Sequence, residues 1–256
     1  MRVIISEMEN PERFIAKEEG IEKSRKKELS PQKLYERGKE PLDVKFGFST
    51  GDQLVAKQQE DGVAEVVIIK DGEKVLDFKD WLGKDFKFVT PTFLLNPGNK
   101  VNYFIPGWFA DPAAKVISVG YWENPKILVG LLHEIGHSNQ NFENLYRLRD
   151  HEKREPKNKE IKLALMREVS FLERNAWAFA LQKIRELKRE RGIDVVGNLF
   201  EDLAELKQFI VRCLHTYTET MSVALGSSRF SLPAEAIGQM EGELVKLFDK
   251  GFGENK

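Results

Sequence analysis

Leu131-Leu132-His133-Glu134-Ile135-Gly136-His137-Ser138 is the stretch on which the reading of this 256-residue chain turns. It contains the pattern H-E-x-x-H. Ile127, Leu128, Val129, Leu131, Leu132 and Ile135 make the surrounding segment apolar. Asn124 as a cap and Pro125 in the first turn predict a helix running to about Asn141. Residues i and i+4 of a helix stand one above the other, so the imidazoles of His133 and His137 can converge on a single Zn²⁺ at about 2.0–2.1 Å each. Glu134 is rotated off that line, where a general base beside the metal is required. The competing explanation is a histidine pair satisfied by ordinary hydrogen bonds. It must bear the cost of burying three polar side chains in an apolar helix.

A catalytic zinc site needs a third protein ligand. His151 lies in a polar stretch, residues 147–162, with seven basic and four acidic residues, expected to be an exposed loop or frayed helix. Glu173 is the stronger candidate. In Phe171-Leu172-Glu173-Arg174-Asn175-Ala176-Trp177-Ala178-Phe179-Ala180, the residues Glu173, Ala176 and Ala180 share one helical face. Small side chains there, with Gly136 opposite them, would let two helices approach closely enough to bring the carboxylate to the imidazoles.

Working outward, Val63 to Ile69, Asp71-Gly72 and Lys74 to Phe78 read as a β-hairpin. Further strands are expected over Val3–Ser6, Phe86–Thr90, Val101–Ile105 and Lys115–Trp122. The last of these alternates apolar and polar residues and is a candidate edge strand for an extended substrate; an ordinary sheet strand fits it equally well. A short helix is expected after Ser30-Pro31, a long one over Ile161–Arg191 ending at Gly192, and others near Asn198–Met221 and Pro233–Lys250. The chain divides into a charged, β-rich portion of unknown role, 1–110, and a helical portion, 111–256, that carries the motif.

Composition excludes several classes. With 40 basic and 41 acidic residues the net charge is −1, which gives no support for nucleic-acid binding or for an acidic membrane surface. Cys213 is the one cysteine, so neither a disulfide framework nor an all-cysteine metal site exists; among Phe209, Ile210 and Leu214 it reads as a core residue. The longest stretch without formal charge, Phe88–Asn99, contains two prolines and falls short of the roughly 20 apolar residues of a membrane span. The N-terminal apolar run is too short for a signal peptide, which makes the cytoplasm the default compartment. Lys183–Arg191, with five basic and two acidic residues, complements a helix dipole.

His133-Glu134-Ile135-Gly136-His137 followed by Glu173-Arg174-Asn175-Ala176-Trp177-Ala178-Phe179-Ala180 resembles the ImmA/IrrE type of zinc metallopeptidase, which shows H-E-[LI]-G-H and then E-R-x-A-x-x-F-A on a later helix. The resemblance covers roughly Val116–Gln182. It implies an α+β, zincin-like metallopeptidase core with a small β-sheet and several α-helices. It also implies His133, His137 and Glu173 as ligands of Zn²⁺, and Glu134 as catalytic base. Members of that family act in the cytoplasm of bacteria and their mobile elements, some by cleaving a repressor. This chain departs from the pattern in two places. Many members carry another histidine shortly after the first motif, where Ser138-Asn139-Gln140-Asn141 stands here, and many have an apolar stretch ending in proline after the second motif, where this chain has Leu181-Gln182-Lys183-Ile184-Arg185.

The expected activity is zinc-dependent hydrolysis of peptide bonds in a protein or peptide substrate. His215, Tyr217 and Tyr121 are the candidate oxyanion-stabilising side chains; the first two are two apart on one helix and would not face the same point. Trp108, Phe109 and Trp122 read as core residues or, alternatively, as pocket lining. The alternative class is a zinc-containing regulatory binding protein that is non-catalytic or is activated by a partner. Glu134 favours the enzyme, because metal binding alone has no need of it. Oligomeric state is not legible in the sequence.

Overall fold

A computed structural model describes residues 42–90, 109–120 and 125–224, with the backbone of 238, 242 and 246; the side chains of 109 and 215–224 lie outside what it describes. The expected elements at Val3–Ser6, Ser30–Arg37, Val101–Ile105 and Pro233–Lys250 fall outside the described residues. So do Tyr121, Trp108 and Trp122.

Four antiparallel strands form the first sheet: β1 (Asp43–Gly47), β2 (Gln53–Gln58), β3 (Ala64–Lys70) and β4 (Glu73–Asp77), in the order β1-β2-β3-β4. The period-two pattern of each strand decides which face is inward. Phe46 pairs with Leu54, Leu54 with Ile68 and Ile68 with Leu76, while Val44, Ala56 and Val66 form the adjacent row. These side chains enter the core. The Asp71-Gly72 turn behaves as expected: both residues have left-handed backbone, φ 51° and 84°, and Lys70 pairs with Glu73 across it.

After β4, Asp77 accepts a hydrogen bond from the Lys79 N–H at 3.1 Å and starts a short 3-10 turn, Phe78–Trp81. The chain then passes against the end of the motif helix. The Gly83 N–H donates to Ser138 Oγ at 2.9 Å, and the Asn139 amide donates to the Trp81 carbonyl at 2.8 Å. A Cβ at Gly83 would stand 1.8 Å from the Ser138 carbonyl oxygen, so only glycine allows this approach.

A second, three-stranded sheet has the order β5 (Lys87–Val89), β7 (Val116–Ser118), β6 (Phe109–Asp111); β5 runs parallel to β7 and β6 antiparallel to it. The Lys115–Trp122 segment is therefore not an edge where it is described. Its strand, β7, is hydrogen-bonded on both sides, and among the described residues β6 is the outer strand next to the motif. This sheet also crosses from one portion of the chain to the other, since β6 spans positions 110 and 111.

Among the described residues the helices that follow are α1 (Ile127–Ser138), α2 (Glu143–Arg154), α3 (Lys159–Arg191), α4 (Val195–Leu199) and α5 (Leu203–Ala224). Every residue of α1 from Leu128 to Ser138 is buried, as expected of a helix apolar on all sides. It has the second sheet on one side and α3 on the other. The polar stretch expected as loop or frayed helix is largely helical: α2 covers 143–154 and α3 begins at 159. Its Leu145 is fully buried, and that contact holds an otherwise polar helix in place. Asn158, in extended backbone, caps α3 by accepting from the N–H groups of Glu160 and Ile161. Gly192 ends α3 at φ 71°, as its sequence position predicts. The helix expected near 198–221 is two helices. Phe200 adopts extended backbone, and Asp202 accepts from the Glu205 N–H at 2.8 Å to start α5 afresh.

The chain is thus mixed α+β, with small sheets and several helices sharing one hydrophobic core. Among the described residues no helix is long and apolar enough to cross a membrane.

Candidate metal centre

Helix α1 brings His133 and His137 to one line, and their Nε2 atoms stand 3.0 Å apart. Glu173 comes from α3. Its Oε2 lies 3.3 Å from His133 Nε2 and 3.4 Å from His137 Nε2. The two helices can approach this closely because of their small residues. A Cβ at Gly136 would be 2.8 Å from both the Cα and the carbonyl oxygen of Ala176, while Ala176 and Ala180 are completely buried in the seam.

The three ligand atoms form a nearly equilateral triangle with sides of 3.0, 3.3 and 3.4 Å. A tetrahedral ion with metal–ligand distances of about 2.0–2.1 Å has edges of about 3.3–3.4 Å between its ligand atoms. The triangle therefore fits one face of such a polyhedron. His133 and His137 have no exposure, and Glu173 has 1%. Glu173 Oε2 is buried yet makes no hydrogen bond within the protein. A buried carboxylate oxygen left in this way carries a large desolvation cost, which a cation bound at that point would offset. This buried group, His133, His137 and Glu173, could hold a metal ion.

Second contacts orient the ligands. His137 Nδ1 lies 3.0 Å from Gln140 Oε1, and the Gln140 amide nitrogen donates to the Leu172 carbonyl at 2.7 Å. The ring of Trp177 lies over that of His133, with centroids 4.1 Å apart and a 33° tilt. Glu134 stands outside the triangle: its Oε2 accepts a hydrogen bond from the Ala110 N–H of β6 at 2.7 Å, and its Oε1 is buried without a partner.

The electrostatics follow from burial and proximity. Burial disfavours the cation at His133, and His137 beside it adds to this, so its pKa falls to about 4. At His137 burial acts in the same direction, but the Glu173 carboxylate overrides it and pushes the value up to about 9. Burial likewise opposes the charge on Glu173, and the imidazoles overcome it, holding the carboxyl well below the usual range. Burial raises Glu134 to about 8, with His137 opposing the rise. The cluster thus favours the charged forms of His137 and Glu173, beside a Glu134 carboxyl that burial pushes toward its neutral form.

The structure brings together the four residues read from the motifs, His133, Glu134, His137 and Glu173. His151 is on α2, exposed, and is not in the group. His215 and Tyr217 lie on α5, where their side chains are outside the described ones, and Tyr121 falls outside the described residues. Cys213 is only partly buried against the core, and burial of its thiol pushes the pKa up to about 12, so it stays protonated. Sequence reasoning missed Gln140 and the Ala110 N–H. In the sequence Gln140 stands only as part of the stretch that departs from the resembled pattern, and a backbone N–H leaves no sequence signal.

The chain matches no family model, and it has no match among curated proteins or among solved structures.

Proposed function

We propose that this protein is a zinc-dependent metallopeptidase with a zincin-like core, of the kind its two motifs resemble. The observation that carries the reading is the buried triangle of His133 Nε2, His137 Nε2 and Glu173 Oε2 with an unliganded carboxylate next to it. Two imidazoles and one carboxylate suit Zn²⁺ and leave a fourth position open. What zinc supplies there is Lewis acidity, in the form of an acidified water and a polarised carbonyl.

The chain's own groups do the rest. His133, His137 and Glu173 hold the cation. The Ala110 N–H fixes one oxygen of Glu134 and leaves the other without a partner. That second oxygen can take a proton from the water attacking a peptide carbonyl and return it to the leaving amine. A divalent cation nearby would pull the raised pKa of Glu134 back down toward the range of a working base. His215 and Tyr217 of α5, and Tyr121, are the candidates for the second donor to the oxyanion. The substrate class is a protein or peptide, which for a chain resembling this family includes a regulatory protein of the bacterial cytoplasm.

One observation favours a second reading. His133, Glu134 and His137 have no solvent exposure at all. A substrate carbonyl reaches Glu134 only if the site opens, so a zinc-containing regulatory protein that is non-catalytic or is activated by a partner is the alternative.

Metal analysis and peptidase assays test both. About one zinc per chain is expected, lost in the His133→Ala/His137→Ala double variant; full occupancy in that variant would exclude the site. Glu134→Gln should retain zinc and fold while abolishing new peptide ends in cells that make the protein, and undiminished cleavage would exclude Glu134 as base. Cleavage that appears only with a partner present selects the second reading.

A further inference from the structure

The Gln140 side chain joins the segment just after α1 to α3, the two helices that carry the candidate ligands. Its amide is oriented without ambiguity. The Leu172 carbonyl can only accept, so the atom 2.7 Å from it is the amide nitrogen, and the oxygen must face His137 Nδ1 at 3.0 Å. An amide oxygen can only accept, so Nδ1 of His137 must carry the proton in every state in which this contact exists. Neutral His137 then presents its lone pair at Nε2, the atom that points into the triangle. Leu172 immediately precedes Glu173, so the same amide also ties the second imidazole to the turn of α3 that supplies the carboxylate.

We propose that Gln140 is a positioning residue for metal binding. It sets the tautomer of His137 and holds the Glu173 turn against it. This inference rests on reading His133, His137 and Glu173 as a metal centre. Hydrogen bonds of this kind fix ring orientation and ligand basicity, and their loss typically costs 10–100-fold in metal affinity. Gln140 is partly buried at the end of α1, so its replacement need not disturb the core.

The test uses the full chain with zinc alone as the probe. Gln140→Met removes both hydrogen bonds at similar volume and should weaken zinc binding by about 10–100-fold in chelator competition. Gln140→Glu keeps an acceptor for Nδ1 but, when ionised, cannot donate to Leu172; its affinity should lie closer to wild type than that of Gln140→Met. Long-range ¹H–¹⁵N spectra of the zinc-loaded wild-type protein should show the His137 proton on Nδ1. Should Gln140→Met fail to fold, which thermal unfolding of the metal-free variant would reveal, Gln140→Ala, which removes both hydrogen bonds without filling the site, takes its place with the same expected loss of affinity. Equal zinc affinity in Gln140→Met and wild type overturns the role of Gln140 alone; a His137 proton on Nε2 in the zinc-loaded protein removes His137 from the metal as well. A wild-type chain that takes up no zinc overturns the metal centre and, with it, this inference.

Discussion

Glu173 illustrates what one residue contributes here. Its carboxylate is nearly unexposed, and two imidazoles lower its pKa against the opposing effect of burial. A lone carboxylate in that position would neutralise by taking up a proton; here the neighbouring imidazoles favour the charged form. Asp77 obeys the same rule nearer the surface. Burial would raise its pKa, but Lys74, at 3.0 Å, and the Lys79 N–H lower it. Its folded value therefore lies below its unfolded value. The stabilisation is complete above the unfolded value of about 3.9 and is lost as pH falls through the folded one. Asp77→Asn should cost about 0.2–1 kcal/mol at neutral pH, because Lys74 is half exposed and the pair is screened. Denaturant unfolding at pH 7 and again in acid should show that difference shrinking; a difference independent of pH would mean the charge of Asp77 contributes nothing. His133, Glu134 and His137 were legible as a group because their spacing fixes their relation within one helix. The Ala110 contact was not, since it depends on where β6 lies.

Among the elements, the α1–α3 seam decides whether a metal site exists. The sequence placed Gly136, Ala176 and Ala180 where close packing would need them, and the structure has them there. The contact is with backbone: a Cβ at Gly136 meets Ala176 Cα and its carbonyl oxygen, each at 2.8 Å. Gly136→Ala should therefore destabilise by about 1–3 kcal/mol through overpacking and also weaken zinc binding by pushing Glu173 away. Ala176→Gly should not rescue it, because the clash is not with the Ala176 side chain. Equilibrium unfolding of the two single variants and the double variant checks this, and full rescue would show that the helices are not held at this distance by backbone contact. The helix boundaries set by capping chemistry, Asn158 and Gly192, follow from local residues. The break at Phe200 also has a local cap, Asp202 accepting from the Glu205 N–H, but the conversion of the polar stretch into α2 does not follow locally, because it depends on the burial of Leu145 in the core.

Across the whole molecule, the segment that follows the first sheet is fastened to the end of α1 through Gly83 and Trp81, which bond Ser138 and Asn139. Residues before and after position 110 enter one core. A ligand that binds the folded metal centre and not the unfolded chain stabilises the structure by about 2.7 kcal/mol at a free concentration 100 times its Kd. Zinc should thus raise the unfolding temperature, and a chelator should reverse the rise. The His133→Ala/His137→Ala variant should respond to neither. A shift of equal size in that variant would locate the zinc elsewhere.

The sequence by itself determined the two-histidine motif, the glutamate beside it, the hairpin turn and the small-residue faces, since each is a relation among near neighbours fixed by helical or strand periodicity. Only the tertiary structure decided that Glu173 meets the imidazoles, that among the described residues β7 lies inside its sheet and β6 outside, and that the Gln140 amide reaches the Leu172 carbonyl and the Ala110 N–H reaches Glu134. Those are distances between segments far apart in the chain, set by how whole elements pack, and no local spacing encodes them.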